Sequence, residues 1–188
     1  MTDVLELELN ERNKRIGILI AVMAGVLAFS EAAGSNASAD ALRGTVELSN
    51  TWAFFQAKTI RMTTLKAEAD SLELVVAKWA PGAEREAAVK TIADWRATAK
   101  RYDSEPETGE GRKELAAKAK EIEAARDDAA AANATYDLSS SALQLGILLA
   151  SAAVVTGVLW LAYIGAGLGV LGAALGLMGL WAPHVLGG

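Results

Sequence analysis

No charged side chain follows Asp137 in this 188-residue chain, so the C-terminal 51 residues are uncharged apart from any charge that His184 acquires. Within residues 16–34 the single charged residue is Glu31. A water-soluble domain does not tolerate uncharged segments of this length that are rich in Leu, Ala, Val and Gly. The distribution of charge therefore predicts a membrane protein.

The apolar segments predict three transmembrane helices. They cover residues 16–33, 141–163 and 166–182, and the last begins among closely spaced glycines. At about 1.5 Å per residue, the first segment reaches roughly 27 Å, enough for a thin bilayer. Residues 1–15 form a short polar segment, either a strand or an interfacial piece, and residues 34–140 form an extramembrane domain.

A cleaved signal peptide is the alternative for the first apolar segment. A basic flank precedes it, and an A-x-A sequence lies at Ala37–Ala39. The polar region before it is long and acidic, however, and the A-x-A sequence lies well beyond Phe29. We therefore expect a retained membrane anchor.

Residues 34–140 show apolar residues at helical, heptad-like spacing. The first run contains Leu48, Phe55, Met62, Leu65, Ala69, Leu72, Val76 and Trp79. The turn Ala80–Gly82 ends it, and a second run contains Ala88, Ile92, Trp95, Ala99 and Tyr102. After the connection 103–111, a third run contains Leu115, Ala119, Ile122, Ala125, Ala129, Ala132 and Tyr136.

These runs predict an all-α fold in which about three antiparallel helices stand between the first and second spans. The third run stays in heptad phase as far as Leu143. We therefore expect one helix to extend from about residue 112 into the bilayer. Gly44 and Asn50 are positions at which the first helix could break.

Composition excludes several classes of function. The chain has no Cys and one His, so disulfides, thiolate sites and multi-His metal sites are absent from a single copy. A net charge of −5 argues against a nucleic-acid partner. No catalytic constellation is recognisable, so we expect neither an enzyme nor a cofactor-binding protein.

Three stretches together resemble the bacterial domain-of-unknown-function family 4337. They are WAFFQAKTIR (52–61), RYDSEPETGEGRKEL (101–115) and LLASAAVVTGVLWL (148–161), in this order between one N-terminal and two C-terminal apolar segments. The resemblance covers nearly the whole chain. It implies a small bacterial membrane protein, and it carries no activity and no catalytic residues.

The stretch 52–61 is a candidate interaction surface, since aromatic residues and Arg dominate interface energetics. Its candidates are Trp52, Phe54, Phe55, Gln56, Lys58 and Arg61. The alternative is packing, because Phe55 is in heptad phase.

The acidic connection resembles a calcium loop in part. Asp103, Glu105, Glu107 and Glu114 fall at EF-hand positions 1, 3, 5 and 12, but Thr108 replaces the required glycine. The alternative is a solvated turn with Ser104 and Glu107 as a capping box.

Glycines recur at small-residue spacing in the last span, at Gly165, Gly169, Gly172, Gly176 and Gly179. Such spacing lets helix backbones approach closely. Packing within the chain and packing between subunits both remain open, and a pore lining is a third interpretation.

The remaining candidates have simpler interpretations. We expect Glu31 at the level of the lipid headgroups and His184 as an exposed interfacial residue. The pair Asp127 and Asp128 is interpreted as part of a solvated helix face.

The resulting hypothesis is a membrane-anchored structural or interaction protein without catalytic activity, either self-associating or an accessory subunit of a membrane complex. Its partners are the lipid bilayer and further protein copies or subunits, with contacts along 48–79 and 165–179. The expected interaction residues are Trp52, Phe55, Met62, Leu72, Val76, Trp79, Gly165, Gly169, Gly172 and Gly176. The alternatives are a transporter or channel component and an extracytoplasmic sensor that signals through a partner.

The positive-inside rule predicts the topology. Arg12, Lys14 and Arg15 precede the first span, so we expect the N-terminus in the cytoplasm of a bacterial cell. Residues 34–140 then lie on the periplasmic side of the inner membrane.

Overall fold

The computed structural model describes the backbone of residues 2–181 and the side chains of residues 11–181. It has four helices: α1 (Thr2–Val76), α2 (Ala83–Asp103), α3 (Arg112–Thr156) and α4 (Leu159–Trp181). No strand occurs in residues 2–181, so the predicted all-α fold is confirmed. Helices α1, α3 and α4 are long and apolar enough to cross a membrane.

The chain divides into two compact units. The terminal unit comprises Met1–Arg43 and Ala125–Gly188, and the central unit comprises Gly44–Ala124. The core of the terminal unit contains Ile16, Met23, Leu143, Ala150, Ala153 and Ala162. The core of the central unit contains Ala69, Val76 and Ile92, with Leu72, Ala88 and Trp95 packed against it.

Two helices are longer than their apolar segments. Helix α1 runs without a break through Gly44 and Asn50, and its first turns occupy residues for which a strand was one interpretation. Helix α3 is continuous from Arg112 to Thr156, as predicted. Ser141 does not break it, and its hydroxyl donates to the carbonyl of Asp137 one turn earlier in the same helix, at 2.8 Å.

The predicted boundary between the last two apolar helices is wrong. Sequence placed it at residues 164–165, between spans 141–163 and 166–182, whereas α3 ends at Thr156 and α4 begins at Leu159. Gly157 causes the break, because its φ of 76° lies in the left-handed region that terminates helices. The amide of Val158 completes the turn by donating to Thr156 Oγ1 at 3.3 Å.

Buried positions along α4 alternate at spacings of three and four residues. They are Ala162, Gly165, Gly169, Gly172, Gly176 and Gly179. A Cβ atom added at Gly165 would lie 2.6 Å from the carbonyl oxygen of Gly146 in α3. One added at Gly172 would lie 2.7 Å from Leu143 Cγ. The glycine face of α4 therefore packs within the chain, against α3 and α1, which is one of the two packing interpretations left open by the sequence.

We predict that Gly165→Ala lowers the free energy of unfolding by about 1–3 kcal/mol, the usual cost of overpacking. The new methyl group would meet the backbone at Gly146 and at the nitrogen of Ala150, 3.0 Å away, and backbone cannot move aside cheaply. Thermal unfolding in detergent, followed by circular dichroism, measures the change. Gly167→Ala is the matched control, since a Cβ at Gly167 has no neighbour within 4 Å. Equal effects of the two variants would contradict close packing at Gly165.

Candidate functional site

The central unit brings together the aromatic stretch 52–61 and the acidic stretch 101–115, which lie far apart in the sequence. Lys58 is 8% exposed, and its Nζ lies 3.6 Å from Glu110 Oε2. The same ammonium group lies 5.2 Å from the centre of the Tyr102 ring. Lys58 of α1 thus holds the connection between α2 and α3 by charge and by cation–π attraction.

Arg112 forms a second link between the same stretches. Its Nη1 donates to Asp103 Oδ1 at 3.2 Å, and its guanidinium carbon lies 5.0 Å from the centre of the Phe55 ring. Nη1 also lies 3.6 Å from Met62 Sδ, and Phe55 makes an edge contact with Trp52, with ring centroids 5.3 Å apart. We call the residues of these two links the motif junction: Trp52, Phe55, Lys58, Met62, Tyr102, Asp103, Glu110 and Arg112.

Hydrogen bonds to Glu114 hold the connection 104–111 in its conformation. The carboxylate of Glu114 accepts hydrogen bonds from Ser104 Oγ at 2.6 Å and from the amide of Glu105 at 3.2 Å. Ser104 therefore pairs with Glu114 rather than with Glu107, and the predicted capping box is wrong. A Cβ at Gly111 would lie 2.7 Å from Ser104 Cα, so this position requires glycine.

The partners of the acidic residues argue against the calcium interpretation. Asp103 is paired with Arg112 and with Lys113, the latter at 3.1 Å. Glu105 is paired with Arg101 at 2.6 Å, and the carboxylate of Glu114 accepts the hydrogen bond from Ser104. Among residues 11–181, no group of three or more His, Cys, Asp or Glu residues is arranged to hold a metal ion.

A model of the family described as "Domain of unknown function (DUF4337)" matches residues 12–182. The chain belongs to this family. Comparison with curated proteins and with solved structures gives no match. The first two stretches on which the resemblance rested meet in the motif junction, so within this DUF4337 chain their side chains hold three helices together.

The terminal unit of this DUF4337 chain contains a buried polar junction. Ser139 of α3 donates to the carbonyl oxygen of Gly172 in α4 at 2.7 Å, and its Oγ lies 3.0 Å from Ser30 Oγ of α1. Ser30 and Ser139 are both fully buried. Sequence reasoning missed this junction, because the two serines lie 109 residues apart and neither belongs to a recognisable motif.

A polar groove of about 730 Å³ opens between α1 and α3 in the terminal unit. Glu31 lies in it and accepts a hydrogen bond from Gln144 Nε2 at 3.2 Å. Its lining is rich in hydroxyl, amide and carboxylate groups, including Ser35, Ser38, Asn133, Asp137, Ser140 and Ser141. Glu31 is thus exposed beside polar neighbours, and Gln144 is a partner that the sequence did not reveal. The expected place of Glu31 at the level of the lipid headgroups stays a prediction.

The structure places most of the expected interaction residues inside the chain. Met62 and Val76 are buried, Trp52, Phe55 and Leu72 are half-buried, and Trp79 is exposed. Gly165, Gly169, Gly172 and Gly176 are buried against α1 and α3. Asp127 and Asp128 are exposed, and His184 lies outside the described residues. The expected interface residues are therefore mainly core residues, because α2 and α3 pack against those on α1, and α1 and α3 pack against the glycines of α4.

Paired cations lower the pKa values of two carboxyl groups in this region. A hydrogen bond from Lys113 is the main cause for Asp103, and a hydrogen bond from Arg101 is the main cause for Glu105. Each carboxylate is therefore more acidic in the folded chain than in the unfolded chain. Its contribution to stability is present above its ordinary pKa and is lost as the pH falls through the lowered value.

We predict that Asp103→Asn lowers the unfolding temperature at pH 7 by a few degrees, since partly exposed ion pairs contribute about 0–1 kcal/mol. The difference from the unmodified protein should begin to shrink as the pH falls below 3.8, the ordinary pKa of this group, and should be lost as the pH falls through the lowered value. Melting curves between pH 7 and pH 3 measure it, and Glu107→Gln, an exposed carboxylate of the same connection, is the control. A difference that is constant across pH would show that charge is not the cause.

Proposed function

We propose that the protein is a membrane-anchored structural or interaction protein, either self-associating or an accessory subunit of a membrane complex, without catalytic activity of its own. One observation carries the proposal. The central unit exposes large apolar side chains, among them Phe54 (58%), Ile60 (65%) and Leu74 (73%).

Exposure of this kind has different meanings in the two units. In the terminal unit, Ile18, Leu148 and Val170 are exposed on helices that are apolar enough for lipid to cover them. In the central unit, charged residues such as Arg61, Lys66 and Glu68 are exposed on the same helix, as expected of a segment in water. Apolar side chains left uncovered there indicate a surface for another protein.

The motif junction supports a structural role. Lys58 pairs with Glu110 and lies over the ring of Tyr102. Arg112 pairs with Asp103 and lies over the ring of Phe55. These pairs hold the three helical segments of the central unit together. They give the exposed face of α1 a fixed support, which an interaction surface needs.

The proposal extends to location. Arg12, Lys14 and Arg15 favour a cytoplasmic N-terminus in the bacterial inner membrane. If α1, α3 and α4 each cross the bilayer, the central unit lies in the periplasm.

The topology can be tested with Glu107→Cys, because the chain contains no cysteine and Glu107 is exposed in the connection between α2 and α3. We expect a membrane-impermeant thiol reagent to label this variant in intact cells. The unmodified protein is the control for background. Labelling that requires cell lysis would place the central unit in the cytoplasm and reverse the orientation.

Association can be tested by native mass spectrometry of the protein extracted in mild detergent. We expect masses of two or more copies, or of one copy with a stoichiometric partner. Gly167→Ala, at an exposed position of α4, is the control for the effects of extraction in detergent and should give the same masses as the unmodified protein. A single copy without a partner at every concentration tried would overturn the proposed function.

A further inference from the structure

The exposed face of α1 in the central unit carries a second heptad repeat. Val46, Ala53, Ile60, Ala67 and Leu74 follow one another at intervals of seven residues, and all five are exposed. They lie two residues before the inward-facing series Leu48, Phe55, Met62, Ala69 and Val76, of which Phe55 is half-buried and the others are buried. At about 100° per residue, an offset of two positions turns roughly 200° around the helix, so the two series lie on opposite sides.

Intervening positions complete the pattern of a coiled coil. Asn50, Ala57, Thr64 and Ser71 alternate with the first series at spacings of three and four residues, and all are exposed. We call these nine residues, from Val46 to Leu74, the outer seam. None of the nine is charged, although Glu47, Arg61, Lys66 and Glu68 lie nearby on the same helix. An uncharged seam at this spacing fits another helix with the same repeat.

The polar members of the outer seam favour an identical partner. Asn, Thr and Ser side chains each contain a donor and an acceptor, so each can hydrogen-bond to its own copy. Asn at an inward-facing position of a parallel coiled coil pairs with its copy and fixes the register. Asn50 occupies such a position.

The flanking residues also permit a parallel pair. In a parallel, in-register arrangement, Gln56 would lie beside Arg61 of the second copy, and Thr63 beside Glu68. No two like charges oppose each other at these positions. Copies anchored in one membrane by the same helices share one orientation, so a parallel pair requires no rearrangement.

We propose that the outer seam pairs with the outer seam of a second copy as a parallel, in-register, two-stranded coiled coil. This inference rests on the self-association proposed above and names its surface. The seam is about 43 Å long and about 10 Å wide, which gives roughly 900 Å² for both copies together. That area belongs to the weak class of interfaces, so confinement in the membrane contributes to association by raising the local concentration.

Disulfide crosslinking in native membranes tests the seam, because the full chain contains no cysteine. The seam variants are Ala53→Cys, Ile60→Cys and Ala67→Cys. Two exposed positions off the seam serve as controls, Thr63→Cys on the same helix and Ala117→Cys on α3. A disulfide needs Cβ atoms within about 4.5 Å, so we expect roughly tenfold more linked dimer from the seam variants than from the controls.

A charge at Asn50 provides a second measurement. In the Ile60→Cys background, Asn50→Lys places two ammonium groups against each other and should lower the linked fraction severalfold. Ala117→Lys in the same background should leave it unchanged. Circular dichroism of both variants checks that the helices remain folded.

The outcomes separate this inference from the proposed function. Linked dimer that is equal at all positions, or greatest at Thr63 or Ala117, overturns the seam, as does an Asn50→Lys variant that crosslinks normally. In those cases, an oligomer or partner complex in the mass spectrum would still support an interaction protein. Absence of crosslinks together with a solitary monomer in the mass spectrum overturns both.

Discussion

Close approach of α4 to its neighbours is the constraint on which the terminal unit depends. Five of the six buried positions on α4 are glycines, so no side chain separates its backbone from α3. This closeness lets Ser139 reach the carbonyl oxygen of Gly172, and Ser30 reach Ser139 in turn. Within an apolar medium, van der Waals contact and such hydrogen bonds replace the hydrophobic effect as the source of helix association.

Both units place their contact residues at a seven-residue repeat, but the residue types at the contacts differ. In the terminal unit, whose helices are apolar enough to cross a membrane, the repeat brings Gly, Ala and Ser to the contacts, the residue types that favour helix packing in lipid. In the central unit the buried series on α1 uses Leu48, Met62 and Val76, whose removal from water stabilises the fold directly.

Periodicity predicted the helices well because it reports burial directly. The series that ends at Val76 and the continuity of α3 both followed from the spacing of apolar residues. The break at Gly157 did not, since hydropathy does not change there and only its φ distinguishes it from neighbouring glycines. Contacts such as Glu31 with Gln144, 113 residues apart, leave no trace in local pattern. Heptad spacing also marks burial without saying which partner covers a residue, and Met62 and Val76 are buried within the chain itself.

The stretch 52–61 shows how one helix can pack against its own unit on one side and expose residues on the other. Ten consecutive residues make nearly three helical turns, so they cover every side of α1 and cannot all face one neighbour. Phe55 and Lys58 turn toward Tyr102 and Arg112, whereas Phe54 and Arg61 turn outward beside the outer seam. The inner contacts fix the rotation of α1 against the rest of the central unit. That rotation in turn fixes which residues lie on the outside of the unit, so the contacts of Phe55 and Lys58 determine which surface of α1 stays exposed.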